Sequence, residues 1–105
     1  MDTKDSAADF VGDMLVKASV TTQFLKSLSH PARLVLLCRL AEGSATVGEM
    51  EATLNLPQAE VSKQLARLRA EGLVTATRDG RRVIYSVADD RTVRIVRLLH
   101  NEFCR

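Results

Sequence analysis

Apolar residues along the 105-residue chain recur first at helical spacing, then in alternation, then at helical spacing again. Phe10, Met14, Leu15, Val20, Phe24, Leu25 and Leu28 fall mostly three or four apart, with Asp13, Lys17, Gln23 and Lys26 between them, which predicts one long helix from Phe10 to near Ser29. Ahead of it, Met1–Asp9 is short and polar and reads as a frayed tail, leaving residues 10–105 as the folded domain. His30-Pro31 starts a second helix, because proline in the first turn forfeits no hydrogen bond and pushes the residue before it out of helical backbone. That helix is rich in leucine and runs to about Glu42, where Gly43 ends it. Thr46 caps a short third helix through Leu54, with Val47, Met50 and Leu54 facing inward.

Asn55-Leu56-Pro57 is a tight turn into a fourth helix, with Pro57 in its first turn and Gly72 just past its end. Val61, Leu65 and Leu68 share its core face, while Gln58, Ser62, Lys63 and Arg67 line the opposite one. Two helices joined by so short a turn, the second polar outward, are a helix-turn-helix candidate. Short and long hydrogen-bonding side chains on that face suit base edges and phosphates in a major groove. Gln64, on the same helix, and Thr46, at the start of the helix before it, complete this part of the candidate DNA-binding set. An ordinary amphipathic surface helix would show the same stripe, so the flanks must decide.

After Gly72 the period becomes two. Leu73, Val74 and Ala76, then Val83, Tyr85 and Val87, predict two short strands around Arg78-Asp79-Gly80-Arg81-Arg82, with Asp-Gly as the hairpin signal. Directly after a helix-turn-helix, Arg78, Arg81 and Arg82 read as a wing that tracks phosphates rather than a merely solvated turn. The chain finishes with a helix from about Asp89, its aspartate cap, to Phe103. Val93, Ile95, Val96, Leu98, Leu99 and Phe103 spread over a wider arc than one small domain can cover. With the long first helix, this predicts a homodimer, and a two-fold dimer reads an inverted repeat in double-stranded DNA.

Composition narrows this picture only a little. At 46% hydrophobic residues the chain can bury one core, and a formal net charge of +2 leaves the case for an anionic partner to where the basic residues stand. No stretch reaches the apolar length of a membrane span and Met1–Asp9 is no signal peptide, so no membrane role and a cytoplasmic setting are expected. In that compartment Cys38 and Cys104 are buried or redox-active thiols rather than a structural disulfide.

The sequence resembles the ArsR-type winged helix-turn-helix repressors over nearly its whole length. The matching pieces are Leu-Ser-His-Pro-Ala-Arg-Leu at 28–34, Gln58 to Val74, and Asp-Gly-Arg-Arg-Val-Ile-Tyr-Ser-Val at 79–87. The resemblance implies a mainly α fold with a small β-hairpin, acting as a dimeric repressor and not an enzyme, whose first and last helices form the dimer interface. It also implies base reading by Gln58, Ser62 and Lys63 and backbone contacts by Arg67, Arg81 and Arg82. Ala59 departs from the serine frequent after the glutamine, which removes one polar contact.

The family's metal sites do not map onto this chain. Thr46 and Gly48 stand where some members carry a cysteine pair, and neither binds soft metals; His100 is alone on the last helix, with Thr92 where an earlier histidine is expected. No cofactor is implied. What remains is Cys38 in the second helix and Cys104 near the end of the last. Cys38 amid leucines reads as a small apolar filler, whereas Cys104 has little core to fill, and His100 one turn earlier is placed to favour its thiolate. The arrangement resembles the persulfide-sensing, SqrR/BigR-like branch of the family. There, reactive sulfur species join one cysteine in each of these helices by a disulfide or polysulfide bridge and relieve repression. Three other readings stay open: a metal effector held by Cys38, Cys104 and His100; a thiol oxidoreductase, which lacks a Cys-x-x-Cys motif; and a dimeric interaction module without DNA recognition.

Overall fold

The computed structural model describes Thr3–Cys104, with side chains from Ala7 onward. Its order is α1 (Thr3–Leu28), α2 (Pro31–Glu42), α3 (Val47–Leu54), α4 (Gln58–Ala70), β1 (Val74–Asp79), β2 (Arg82–Val87) and α5 (Asp90–Phe103). Mainly helical, with one antiparallel hairpin, this is the architecture the periodicity predicts. The first helix starts at Thr3 rather than Phe10. Residues 3–9 contain no glycine or proline and extend the helix without needing an apolar face, so periodicity alone misses them. Of the expected tail, Met1 and Asp2 lie outside the described residues.

Each boundary has a local cause. The imidazole Nδ1 of His30 accepts from the Ala32 N–H at 3.1 Å, so this residue is itself the cap of α2. At α3 the Thr46 hydroxyl accepts from the Glu49 N–H at 3.2 Å while the Glu49 carboxylate accepts from the Thr46 N–H at 2.9 Å, a complete capping box. Asn55 ends α3 in the left-handed region at φ 55°, which asparagine tolerates better than most residues. Pro57 is the residue before α4 rather than its first helical residue. Beyond Glu71, Gly72 takes φ 78°, the Gly72 N–H donates to the Arg69 carbonyl at 3.0 Å and the Leu73 N–H to the Leu68 carbonyl at 2.9 Å. That paired closure turns the chain back so that Leu73 enters the core.

The core lies where α2, α3, α4 and α5 meet the hairpin, around Leu36, Leu37, Leu40, Met50, Leu65 and Leu68. The strands pair from Val74↔Val87 to Asp79↔Arg82, which leaves Gly80-Arg81 as a two-residue loop. Gly80 has φ 65° and Arg81 does not take positive φ, the pattern of a primed turn with glycine first. The turn is therefore Gly-Arg, not the Asp-Gly expected. Ala45 adds one bridge to the outer edge of the hairpin, its N–H donating to the Tyr85 carbonyl at 3.0 Å and the Tyr85 N–H donating back at 2.8 Å.

Only the C-terminal part of α1 enters the body, through Phe24, Ser27 and Leu28. The rest projects, giving the chain extents of 58 × 30 × 20 Å. Among the described residues no helix is long and apolar enough to cross a membrane.

Candidate nucleic-acid interface and cysteine site

On α4 the four-and-three spacing does what the sequence predicts: Val61, Leu65 and Leu68 are fully buried, and Gln58, Ser62, Lys63 and Arg67 are exposed. Ala59 and Ala66 are exposed between them, so the middle of this face is shallow and admits close approach by a flat surface. Arg69 is exposed seven residues beyond Ser62, on the same line, and adds a cation that the sequence reading did not single out.

Gln64 is a correction. It is only 2% exposed, and its carboxamide is spent inside the protein: Oε1 accepts from Arg33 Nη1 at 3.2 Å and Nε2 donates to Glu60 Oε1 at 3.0 Å. It falls three residues after Val61 and four before Leu68, so helical spacing places it on the core face despite its polar side chain, while its partner Arg33 stands 31 residues earlier in the chain. Thr46 is half-buried, and its hydroxyl already serves the α3 cap.

The wing arginines are exposed but do not form one cluster. Arg78 is paired with Val83 and Arg82 with Asp79, so the two side chains leave opposite faces of the hairpin, while Arg81 sits in the turn. Arg82 also has an internal partner, with Nη2 at 3.9 Å from Glu49 Oε1.

Cys38 and Cys104 are free thiols in different surroundings. Cys38 is half-buried and borders a cavity of about 90 Å³ shared with Glu42, Val96, Arg97 and His100. Burial pushes the Cys38 thiol above the usual thiol range, and the nearby Cys104 and Glu42 add to the effect. Cys104 is exposed, directly after α5, with its N–H donating to the His100 carbonyl at 2.9 Å. Arg97 closes the cavity from the α5 side, its Nη2 donating to the Ala41 carbonyl at 2.9 Å and lying 3.9 Å from Glu42 Oε2. Among the described residues, no three His, Cys, Asp or Glu side chains are placed together to hold a metal, so Cys38, Cys104 and His100 do not form a ligand triad.

A short helix, a tight turn, a second helix with a polar outer face and an arginine-bearing hairpin define a winged helix-turn-helix protein. Residues 30–76 match the family described as bacterial regulatory protein, arsR family. The chain is 41% identical over 88 residues to the biofilm growth-associated repressor of Agrobacterium fabrum, covering 84% of this chain and 75% of that protein. The crystal structure of the transcriptional repressor BigR from Xylella fastidiosa superposes with a TM-score of 0.85 at 36% identity, over 90% of this chain and 96% of that one. Reduced HlyU from Vibrio cholerae superposes with a TM-score of 0.81 at 30% identity, over 89% of this chain and 98% of that one. This protein belongs to the arsR family of bacterial regulators.

Proposed function

We propose that this chain is a homodimeric, DNA-binding transcriptional repressor that releases an inverted-repeat operator when Cys38 and Cys104 are joined by reactive sulfur species. The observation that carries the DNA-binding half is the segregation on α4, where Val61, Leu65 and Leu68 are buried and Gln58, Ser62, Lys63 and Arg67 are exposed. Gln58, Ser62 and Lys63 read bases, while Arg67, Arg78, Arg81, Arg82 and Thr46 hold the sugar–phosphate backbone. The dimer is supported by apolar side chains that the protomer leaves uncovered: Phe10, Leu15 and Leu25 on α1 and Leu98 and Phe103 on α5. The repressor assignment draws on the naming of the Agrobacterium fabrum and Xylella fastidiosa relatives.

The chemistry of the switch follows from the contrast between the two thiols. Exposed Cys104 attacks the sulfane sulfur of a persulfide, giving a cysteine persulfide and a released thiol. Cys38 then attacks the sulfur bonded to Cys104, which forms the disulfide and releases hydrogen sulfide; where a second persulfide has first lengthened the chain on Cys104 by one sulfur, Cys38 attacks the penultimate sulfur, breaks the terminal S–S bond, releases hydrogen sulfide and retains one sulfur in the bridge. Excess thiol restores both cysteines, with two electrons for the disulfide and two more for each retained sulfur, which leaves as hydrogen sulfide while the thiol is oxidised to its disulfide. Because α2 packs on both α4 and α5, a bridge from Cys38 to Cys104 ties the helix beneath the recognition helix to the helix bearing Leu98 and Phe103. Operator binding and bridge formation then oppose each other by the same free energy, typically about 1–3 kcal/mol.

The test is operator binding before and after treatment with a low-molecular-weight persulfide, with intact-mass measurement of the protein. The reduced dithiol binds tightly, the treated protein loses two hydrogens or gains sulfur and binds weakly, and thiol restores binding. Cys38→Ser and Cys104→Ser each bind normally and ignore the persulfide. Release of DNA by either serine variant would sink the switch and leave the repressor standing.

A further inference from the structure

A partly buried polar cluster at the C-terminal end of α1 is not used by the DNA face, the cysteines or the uncovered apolar stripe. At its centre is Arg33, on the first turn of α2. Its Nε donates to the Ser27 carbonyl at 2.8 Å, its Nη2 to the Lys26 carbonyl at 3.3 Å and its Nη1 to Gln64 Oε1 at 3.2 Å. One rigid, planar guanidinium thus binds carbonyls at the end of α1 and grips the middle of α4. A second link lies beside it: the Ser27 hydroxyl, in a residue only 4% exposed, donates to the Glu71 carboxylate at the C-terminal end of α4.

We propose that these links, Arg33–Gln64 and Ser27–Glu71, are positioning contacts that fix the tilt of the recognition helix against α1 and thereby set which half-site spacing the dimer accepts. The inference rests on the DNA-binding reading above and adds to it the residues that aim the recognition helix.

Three observations carry it. Gln64 and Glu71 are seven residues apart, two helical turns or about 10 Å, so the two links pin α4 at separate points and restrain its rotation as well as its place. Both links end on the same two residues of α1, Lys26 and Ser27, at the base of the helix whose apolar face is left uncovered. The buried position of Gln64 is also one that a leucine fills elsewhere on the same helix face, at Leu65 and Leu68. A carboxamide there incurs a desolvation cost that an apolar side chain avoids, and what it adds in exchange is direction. In a dimer that seats two helices in successive major grooves, the direction of each relative to the two-fold axis determines the half-site separation.

The experiment uses the full chain and a duplex enriched from a random pool by the wild-type protein, together with the same duplex carrying one base pair inserted between its half-sites. Gln64→Leu keeps the buried volume and removes the bonds to Arg33 and Glu60; Ser27→Ala removes the hydroxyl that faces Glu71 and also lies 3.3 Å from the Gln23 carbonyl within α1. Both variants dimerise and bind an unrelated duplex as the wild type does, but the penalty for the inserted base pair shrinks by at least about five-fold. A wild-type penalty retained in both variants overturns the proposal, because a merely structural role leaves spacing preference intact. Should Gln64→Leu fail to fold, Ser27→Ala decides alone. A wild-type protein that enriches no common sequence overturns the DNA-binding reading and this inference with it, whereas enrichment without a spacing penalty overturns this inference only.

Discussion

Glu49 and Arg82 meet at 3.9 Å, and the oxygen that faces Arg82 is the same Oε1 that accepts from the Thr46 N–H to close the cap of α3. The hydrogen bond from Thr46 holds the Glu49 carboxyl below the usual carboxylate range, so it stays charged beside the wing. A phosphate approaching Arg82 must compete with it. Glu49→Gln retains an oxygen for the capping box and deletes the competing charge. Binding to any duplex should tighten by a few-fold and depend more steeply on salt, measured by titration across a salt series. Unchanged affinity and slope would mean that Arg82 does not face DNA.

Gln58 and Arg81 separate sequence reading from backbone holding. Gln58→Ala should lose on the order of 1–3 kcal/mol at the operator and little on unrelated DNA. Arg81→Ala should weaken both and reduce the salt slope by about one. Equal losses on both duplexes for Gln58→Ala would remove Gln58 from the base-reading set.

Charge placed on α5 distinguishes folding from assembly. Val96 is 1% exposed and Leu99 packs against the protomer's own core, so Val96→Glu or Leu99→Glu unfolds the chain. Leu98 is 56% exposed and Leu15 on α1 is 73% exposed, and Leu98→Glu or Leu15→Glu should give a folded monomer with native helix content and poor operator binding. Sedimentation and circular dichroism check both statements. A Leu98→Glu, Leu15→Glu double variant that remains dimeric would place the interface elsewhere.

Cys38 should respond to pH as a half-buried thiol. A thiol reacts as its thiolate, and burial raises the Cys38 pKa above the usual thiol range, so Cys38 carries less thiolate at neutral pH than an ordinary thiol. Alkylation followed by peptide mass mapping should label exposed Cys104 first, while the Cys38 rate keeps climbing with pH and levels off only above the usual thiol range. Faster labelling of Cys38 at neutral pH would reverse the order of attack proposed for the switch.

What was legible in the sequence was whatever depends on neighbours in the chain. The stripe of Val61, Leu65 and Leu68, the glycine at 72 and the aspartate cap at 89 each declare themselves through spacing of a few residues. The spacing also carries the Thr46–Glu49 capping box and the core-facing place of Gln64, but the distant partners of Gln64, Arg33 and Glu49 could not be read that way. Arg33 and Gln64 are joined by packing of α2 on α4, and Glu49 and Arg82 by the approach of α3 to β2, so their roles exist only after the chain has folded. The early start of α1 was missed for a different reason: Thr3–Asp9 has no apolar stripe to register. For Cys38, the leucines on either side announce burial, but the bordering cavity and its Arg97 latch arise from α5 crossing α2.

The attachment of the wing to the rest of the domain at Ala45 and Tyr85 is made by main-chain atoms in both directions. No side-chain chemistry is needed for it; Ala45 need only remain small, because it is 1% exposed. Arg78 and Arg81 at the hairpin tip can thus be exchanged without touching this mounting, whereas Arg82 also reaches Glu49. The strength of the wing's charge and the firmness of its seat are thereby set by different atoms.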